Sequence, residues 1–546
     1  MPKLQFFALG GQDENGKNCF VIEYSDDIFI FNIGAKVPIN STYGVDTVIP
    51  SFSYLKKNAK KIRGIFITDT KNSSFSALPW ILMQIPGLKI YTSPFSKVNV
   101  LDRVSKYKIG HNDYEIITIS KDISFGDITI KPIQVFGSVP GTLGFDVQSP
   151  MGSVVFLLNF ILGENGFFGK TDLLAIKKQV NNNLLALVMD SGKSKNPGFA
   201  KDKIHLPKSV EQVFENAKDN ERIIVGAYDE EIGSLNYILD LAKKYNRPII
   251  TYGKSYGKQI FLIKKINPKF KTSEFLNYKK ANFVPNALIL VTGTVERLYQ
   301  RFLRIAKNED VYLNLKSSDN VIFIAPPVNG IEVIAAHTLD QVTKVSPKIL
   351  DVTEEEYYRH RPASKDIYQT IDVLRPKYYI PVQGLYRYLV DAAALVRPLG
   401  YNSKNTLVLQ NGKIAEFDGG KLISHNKKIK QVGDDIIDGF GLGDVSHEVI
   451  REREKMASNG VVLISACINK FKQIKGKIEI KYLGLVSIAD RDEINDFVRS
   501  IVVNNFYDEE NSSLKVIQEK IRKQVRKKLY KKIEKEPIVV VVFYKI

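Results

Sequence analysis

Residues 205–350 alternate helical and strand patterns at short intervals, and this alternation constrains the fold more than any other feature of the sequence. "SVEQVFENAKD" has helical periodicity, "RIIVGAY" reads as a strand, "SLNYILDLAKKYN" as a helix and "RPIITYG" as a strand. "NALILVTG" and "NVIFIAPP" continue the series. Strands separated by helices pair in parallel, because the crossover has to run back along the sheet. Two earlier runs, "SVVFLLNFIL" (Ser153 to Leu162) and "NLLALVMDSG" (Asn183 to Gly192), are apolar without alternation. That is the pattern of central strands covered on both faces. "FVIEYSDDIFIFNIG" (Phe20 to Gly34) reads as a hairpin of two strands.

A chain of 546 residues exceeds what one core supports and predicts several domains. No apolar run reaches the ~18 residues of a membrane span, and the N-terminus reads as a first strand rather than a signal peptide. Cys19 and Cys467 are the two cysteines, far apart and outside any CxxC pair. A disulfide framework is therefore not expected, and a reducing cytoplasmic setting is. The net charge of +19 favours polyanionic partners, although a general solubility charge is the alternative. Ten basic residues against three acidic fall in "KVIQEKIRKQVRKKLYKKIEKE", Lys515 to Glu536. Val516, Ile521, Val525 and Leu529 give that segment an apolar stripe, so an amphipathic helix with a basic outer face is expected. That face, with Lys527 and Lys528, would suit RNA or an acidic subunit, a merely solvated surface being the alternative.

The segment "FITDTKNSSFSALPW" (Phe66 to Trp80) places a polar loop after a strand, where α/β folds put their chemistry, yet it contains no histidine. "GGQDENG" (Gly10 to Gly16) lacks phosphate-loop spacing and reads as a hairpin turn. Ser191 in "MDSGKS" has no histidine nearby in sequence to activate it, and Asp190 reads as a turn former. Arg297, Arg301 and Arg304 recur at spacings of three and four on one helix, either as a phosphate-binding stripe or as a solvated face.

Across nearly its whole length the chain resembles ribonuclease J, a metallo-β-lactamase/β-CASP nuclease family. The resemblance rests on collinear landmarks. These are "ALGGQDENGKN" (from Ala8), "YGVDTVIPSFSYL" (from Tyr43), "MDSGKSKNPGF" (from Met189), "YGKSY" (from Tyr252), "VTG" (from Val291), "RPKYYIPVQGLYRY" (from Arg375) and "DGFGLGDV" (from Asp438). It implies an α/β architecture: a metallo-β-lactamase αββα sandwich with an inserted β-CASP α/β domain and a small α+β C-terminal domain. The implied boundaries are 1–203 and 354–428 for the sandwich, 204–353 for β-CASP, 429–455 for a linker and 456–546 for a C-terminal oligomerisation domain. The final strand "PIVVVVFYKI" is nearly all apolar, so both its faces are expected to be covered, in part by another chain.

Family members hydrolyse RNA with two zinc ions, but this sequence departs from the pattern at every metal ligand. By the resemblance, the positions of the ligand loop are Asp69, Lys71, Ser73 and Ser74. The remaining ligand positions are Gly137, Asn159, Arg361 and Gln383, and a further supporting aspartate is Asn32. Lysine and arginine repel metal cations, and amides and glycine are poor donors, so no zinc is expected. Asp69 and Glu355 are the expected counter-charges for the two new cations. The resemblance places "YYRHRPAS" beside the pocket for the RNA 5′ end, making Arg359, His360, Arg361 and Ser364 RNA-binding candidates with Lys254, Arg297 and Arg301. The expectation is a non-catalytic RNA-binding subunit, pairing with an active ribonuclease J paralogue or with itself. An active nuclease using relocated or metal-free chemistry and a purely structural subunit are the alternatives.

Overall fold

The computed structural model describes residues 2–36, 45, 47–180, 183–267, 270–438, 441–442, 447–471, 473–485, 491–508 and 512–546. They form two compact units, one drawn from residues 1–40 and 47–435, the other from 41–46 and 436–546. Among the described residues no helix is long and apolar enough to cross a membrane.

Two sheets face each other in the first unit. One has eight strands in the order Lys421–Ser424, Ala415–Asp418, Leu4–Gly10, Cys19–Tyr24, Asp27–Phe31, Ile62–Phe66, Leu88–Thr92 and Tyr114–Thr118. The other has six, in the order Tyr378–Val382, Leu184–Asp190, Gly152–Leu157, Leu143–Ser149, Ile128–Gln134 and Ile123–Phe125. Phe6, Phe31 and Phe66 from the first meet Phe145, Phe156 and Val188 from the second in one buried core. The rings of Phe31 and Phe156 stack with centroids 4.0 Å apart. Helices Leu173–Gln179 and Ser364–Leu374 supply Ile176, Ile367 and Ile371 to a second core with Leu187 and Met189 of the six-stranded sheet. Alternate residues of a strand point to opposite faces, so that sheet is covered on both sides. This is the expected αββα sandwich.

Between Asp190 and Tyr378 the chain makes a third sheet, wholly parallel, as the helix–strand alternation requires. Its order is Phe275–Leu276, Ile249–Tyr252, Leu288–Gly293, Ile223–Tyr228, Asn320–Phe323 and Ile349–Asp351. Helices pack on both faces, with Leu235 and Ile260 in one core and Leu298 and Phe302 in the other.

In the second unit a three-stranded sheet, Ile474–Leu483, Val461–Ile468 and Ile538–Lys545, packs on helices Arg491–Asp508 and Leu514–Ile533.

Two expectations need correction. The apolar run at 153–162 is not one strand: it ends at Leu157, and Asn159, with φ +50°, turns Phe160–Ile161 onto Phe136–Gly137. The stripe of the basic helix runs through Ile517, Ile521, Val525 and Leu529, whereas Val516 is exposed. A uniform spacing of four selects Ile517. The final strand is an edge strand, buried at Val539 and Val541 but exposed at Val542 and Tyr544, which agrees with an expectation of cover shared with another chain. The segment 429–455, expected to be a linker, contains strand Asp434–Asp438 and most of helix His447–Asn459.

Candidate functional site

Strand Ile62–Phe66 delivers the loop that ends in the short helix Asn72–Phe75, and Asp69 lies fully buried within it. Three protein donors occupy its carboxylate. Thr68 donates its hydroxyl to Oδ2 at 2.7 Å, and the Asn159 amide donates to the same oxygen at 2.9 Å. The backbone N–H of Lys71 donates to Oδ1 at 2.8 Å. Asn159 also reaches the Ser74 hydroxyl at 3.3 Å. Asn32 holds the loop from the other side, its Oδ1 accepting the Thr68 N–H at 2.9 Å. At Gly137 an added Cβ would sit 2.9 Å from Cβ of Thr142, so the structure leaves no room there for a donor side chain.

Arg361 clamps Asp190. Its Nε donates to Oδ2 at 2.8 Å, and its Nη2 donates to Oδ1 and to the Gln383 carbonyl. The Gly192 N–H adds a bond to Asp190 Oδ1 at 3.1 Å. A side chain at 192 would collide with that guanidinium, which accounts for the glycine. The Gln383 side-chain amide is buried without a hydrogen-bond partner in the structure, and its φ is +63°. Such a strained, unsatisfied residue marks a place where packing does not set the conformation alone.

Glu231 is the second centre of charge. Lys71 Nζ lies 3.4 Å from Oε1, His360 Nδ1 2.9 Å from Oε2, and Arg359 Nε 3.5 Å from Oε1. Burial would raise the Glu231 pKa. The Lys71 charge, the His360 hydrogen bond and the Arg359 charge outweigh it and hold the carboxyl well below its usual range. Its neighbour Glu230 accepts the Asn72 N–H at 2.7 Å, yet burial prevails and pushes its pKa up. Burial also lowers the ammonium pKa of Lys193, with Arg359 and Arg361 adding to that effect against its ion pair with Glu354. Glu230, Lys71, Lys193, Arg359 and Arg361 line a cleft of about 180 Å³ together with Lys36 and Tyr388.

The comparisons with known proteins bear on this geometry. Residues 220–342 match the ribonuclease J β-CASP domain, and residues 448–546 match the ribonuclease J C-terminal domain. Bacillus subtilis ribonuclease J2 is 25% identical over 91% of this chain and 91% of its own length. These matches give the chain the β-CASP and C-terminal domains of the ribonuclease J family. An uncharacterized Mycoplasma genitalium protein, MG423, is 28% identical over 93% of this chain and 91% of its own. A crystal structure of a protein of unknown function from Enterococcus faecalis V583 shares the fold, with a TM-score of 0.52 and 14% identity. It covers 76% of this chain and is itself wholly covered.

Set against this family, the residues present do not suit a zinc pair. Asp69 already receives three donors, and the neighbouring positions hold an amide that donates toward it and two cations. Among the described residues no three His, Cys, Asp or Glu side chains gather as a metal site. The counter-charges are also not those expected. Lys71 pairs with Glu231 rather than Asp69, and Arg361 pairs with Asp190 rather than Glu355, whose carbonyl instead accepts from Lys203.

The RNA candidates divide. His360 is buried on Glu231, whereas Arg361 is paired with Asp190 through Nε and Nη2 and still lines the cleft. Arg359 lies over the Tyr228 ring at 5.0 Å and borders the cleft. Ser364 opens helix Ser364–Leu374 with its N–H on the Asn196 carbonyl at 2.9 Å. Arg301 is largely structural, donating to the carbonyls of Tyr252 at 2.8 Å and Thr292 at 2.7 Å. Arg297 borders an open hollow beside it with Arg304 and Lys307. Lys254 opens helix Lys254–Ile266, and its side chain lies outside the described residues. Lys527 and Lys528 are exposed on helix Leu514–Ile533 of the other unit. Ser191 is no nucleophile here: its hydroxyl is buried against the Met189 carbonyl at 3.0 Å and the Tyr379 hydroxyl at 2.6 Å.

Sequence reasoning missed Glu230 and Glu231. Their signal was present in the run Asp229-Glu230-Glu231 directly after strand Ile223–Tyr228. The carboxyl end of a parallel strand is where an α/β sheet places functional charge.

Proposed function

We propose that this chain is a non-catalytic ribonuclease J of RNA processing, acting in the cytoplasm through binding RNA and pairing with a second family chain. The observation that carries this reading is the Asp69 carboxylate saturated by Thr68, Asn159 and Lys71. With Arg361 and Lys71 at two further ligand positions, both in ion pairs, activation of a water by paired metal ions has no donor set to work from. RNA remains the ligand that a +19 chain attracts. Pairing with an active ribonuclease J, or with a second copy, is supported by the half-exposed apolar edge strand Ile538–Lys545.

Salt titration of RNA binding tests the electrostatic part. Log affinity should fall linearly with log salt, at about 0.7 per contacted phosphate on a single strand. Replacing both Lys527 and Lys528 with alanine should reduce the slope by about 1.4 on that scale. Arg361→Ala should leave the slope unchanged, because Asp190 already balances that charge. No RNA binding by the parent protein near ~100 mM salt, where such contacts persist on this scale, would reject RNA as a ligand and leave an assembly role alone.

Assembly is tested by removing residues 447–546, a cut placed before helix His447–Asn459 because that helix packs on the final strand. The shortened chain should no longer capture an active ribonuclease J in a pull-down. Capture at undiminished affinity would exclude the C-terminal domain as the pairing element.

A further inference from the structure

At the Phe275–Leu276 edge of the β-CASP sheet, two tyrosines stand in solvent. Tyr278 opens the turn Tyr278–Lys280 directly after the edge strand, and Tyr312 lies in the loop that follows helix Val295–Ala306. Their rings meet edge-on with centroids 5.2 Å apart, and Tyr278 meets Tyr252 at 6.5 Å. Tyr278 is 41% exposed and Tyr312 36%, while Phe283 on the same segment reaches 81%. Three exposed large aromatics on two adjoining segments call for an explanation, whereas a single one would not.

The display is built rather than frayed. Asp310 accepts the Tyr252 hydroxyl and the N–H groups of Tyr312 at 3.1 Å and Leu313 at 3.3 Å, fixing the loop over a buried Leu313. Asn282 ties the two segments together. Its Oδ1 accepts the Asn314 N–H at 2.9 Å, and its carbonyl accepts from Lys316 Nζ at 3.1 Å. On these segments and the end of the preceding helix, Lys279, Lys280, Lys307, Lys316 and Arg304 are exposed, against the exposed acids Glu274 and Glu309. Tyr252 ends a strand two places from the one ending in Tyr228, which borders the cleft. At about 4.8 Å per strand the two are roughly 10 Å apart.

We propose that this surface is a stacking platform for single-stranded RNA, with bases on Tyr278 and Tyr312 and the backbone on the flanking lysines and Arg304. Aromatic faces in a basic setting bind single strands with little sequence preference, because every base offers a π-face. The excess of cations favours a polyanion over an apolar protein partner. This inference rests on the reading of the chain as an RNA binder and assigns that binding to a surface outside the former catalytic cleft.

The test uses the full chain and fluorescence anisotropy with a labelled oligoadenylate of about twelve nucleotides and an abasic strand of the same length. Tyr278→Ala/Tyr312→Ala should weaken oligoadenylate binding by at least about tenfold, the scale of one lost base stack. The salt slope should stay unchanged, since no cation is removed, and the abasic strand should bind as it does to the parent. Tyr278→Phe/Tyr312→Phe should restore affinity. Phe283→Ala, at a side chain with almost no packing to lose, should weaken binding by several-fold with an unchanged melting curve. Binding by the alanine pair within twofold of the parent would overturn the platform while leaving RNA binding intact. An equal loss on the abasic strand would also overturn it, by showing that charge or folding is responsible. Self-association of the parent that disappears in the alanine pair, with RNA binding retained, would assign the surface to protein contact instead. A parent that binds neither strand would remove the underlying RNA reading together with the platform.

Discussion

Glu231→Gln is expected to destabilise the larger unit by about 3–5 kcal/mol, the scale of a buried ion pair that loses one partner. Glu231 is 3% exposed and faces three nitrogen groups: Lys71 Nζ, Arg359 Nε and His360 Nδ1. The glutamine keeps the shape but leaves the buried Lys71 ammonium and the partly buried Arg359 guanidinium without their nearest carboxylate. Trp80, the one tryptophan, is buried in this unit, so its fluorescence during urea denaturation reports the loss. Adding Lys71→Met to the variant should recover part of the stability, because it removes one of the stranded charges. A Glu231→Gln protein within about 0.5 kcal/mol of the parent, the range of an ordinary surface substitution, would show that the cluster does not hold the site together.

The same residue gives a pH dependence with a definite sign. Its folded pKa lies well below the unfolded value of about 4.3. The folded state therefore binds fewer protons, and the stabilisation is complete above the unfolded pKa. It declines as the pH falls from about 4.3 toward the depressed folded value. Acid denaturation of the parent should show this component, and Glu231→Gln should lack it.

Much of the architecture was legible in the sequence because it depends on periodicity. The unbroken apolar runs and the helix–strand alternation fix which strands are central and which pair in parallel. Where a single residue turns the chain, periodicity is blind: "SVVFLLNFIL" looks continuous, and only the left-handed backbone at Asn159 divides it. A one-residue ambiguity of register had the same effect on the basic helix, where Val516 and Ile517 are equally apolar but differ in facing. At the site, the positions that the resemblance makes metal ligands could be named from the sequence, since each occupies a place in an ordered set of motifs. Their partners could not. Lys71 finds Glu231 across 160 residues and Arg361 finds Asp190 across 171, separations at which sequence proximity gives no guide to charge pairing. Glu355 was the reasonable neighbour along the chain, but its backbone, not its carboxylate, is what Lys203 uses.

On the reading proposed above, protein donors and ion pairs fill the centre where the family's metal would sit. Zinc at such a centre needs several imidazole, thiolate or carboxylate donors at about 2.0–2.3 Å. Of the eight ligand positions only Asp69 carries such a group, and its oxygens already accept from Thr68, Asn159 and Lys71. Seating an ion there would also require bringing it near Lys71 and Arg361 and exchanging made hydrogen bonds for a single carboxylate. The effect on chemistry is correspondingly large, since a metal-generated hydroxide is what makes water a competent nucleophile near neutral pH. The most direct measurement is metal analysis of the purified chain after dialysis, run beside cleavage of a 5′-monophosphorylated RNA with and without added zinc or manganese. The account predicts well under one zinc per chain and no cleavage under any of these conditions. Stoichiometric zinc that survives dialysis and is lost in Asp69→Asn, accompanied by metal-dependent cleavage, would contradict it.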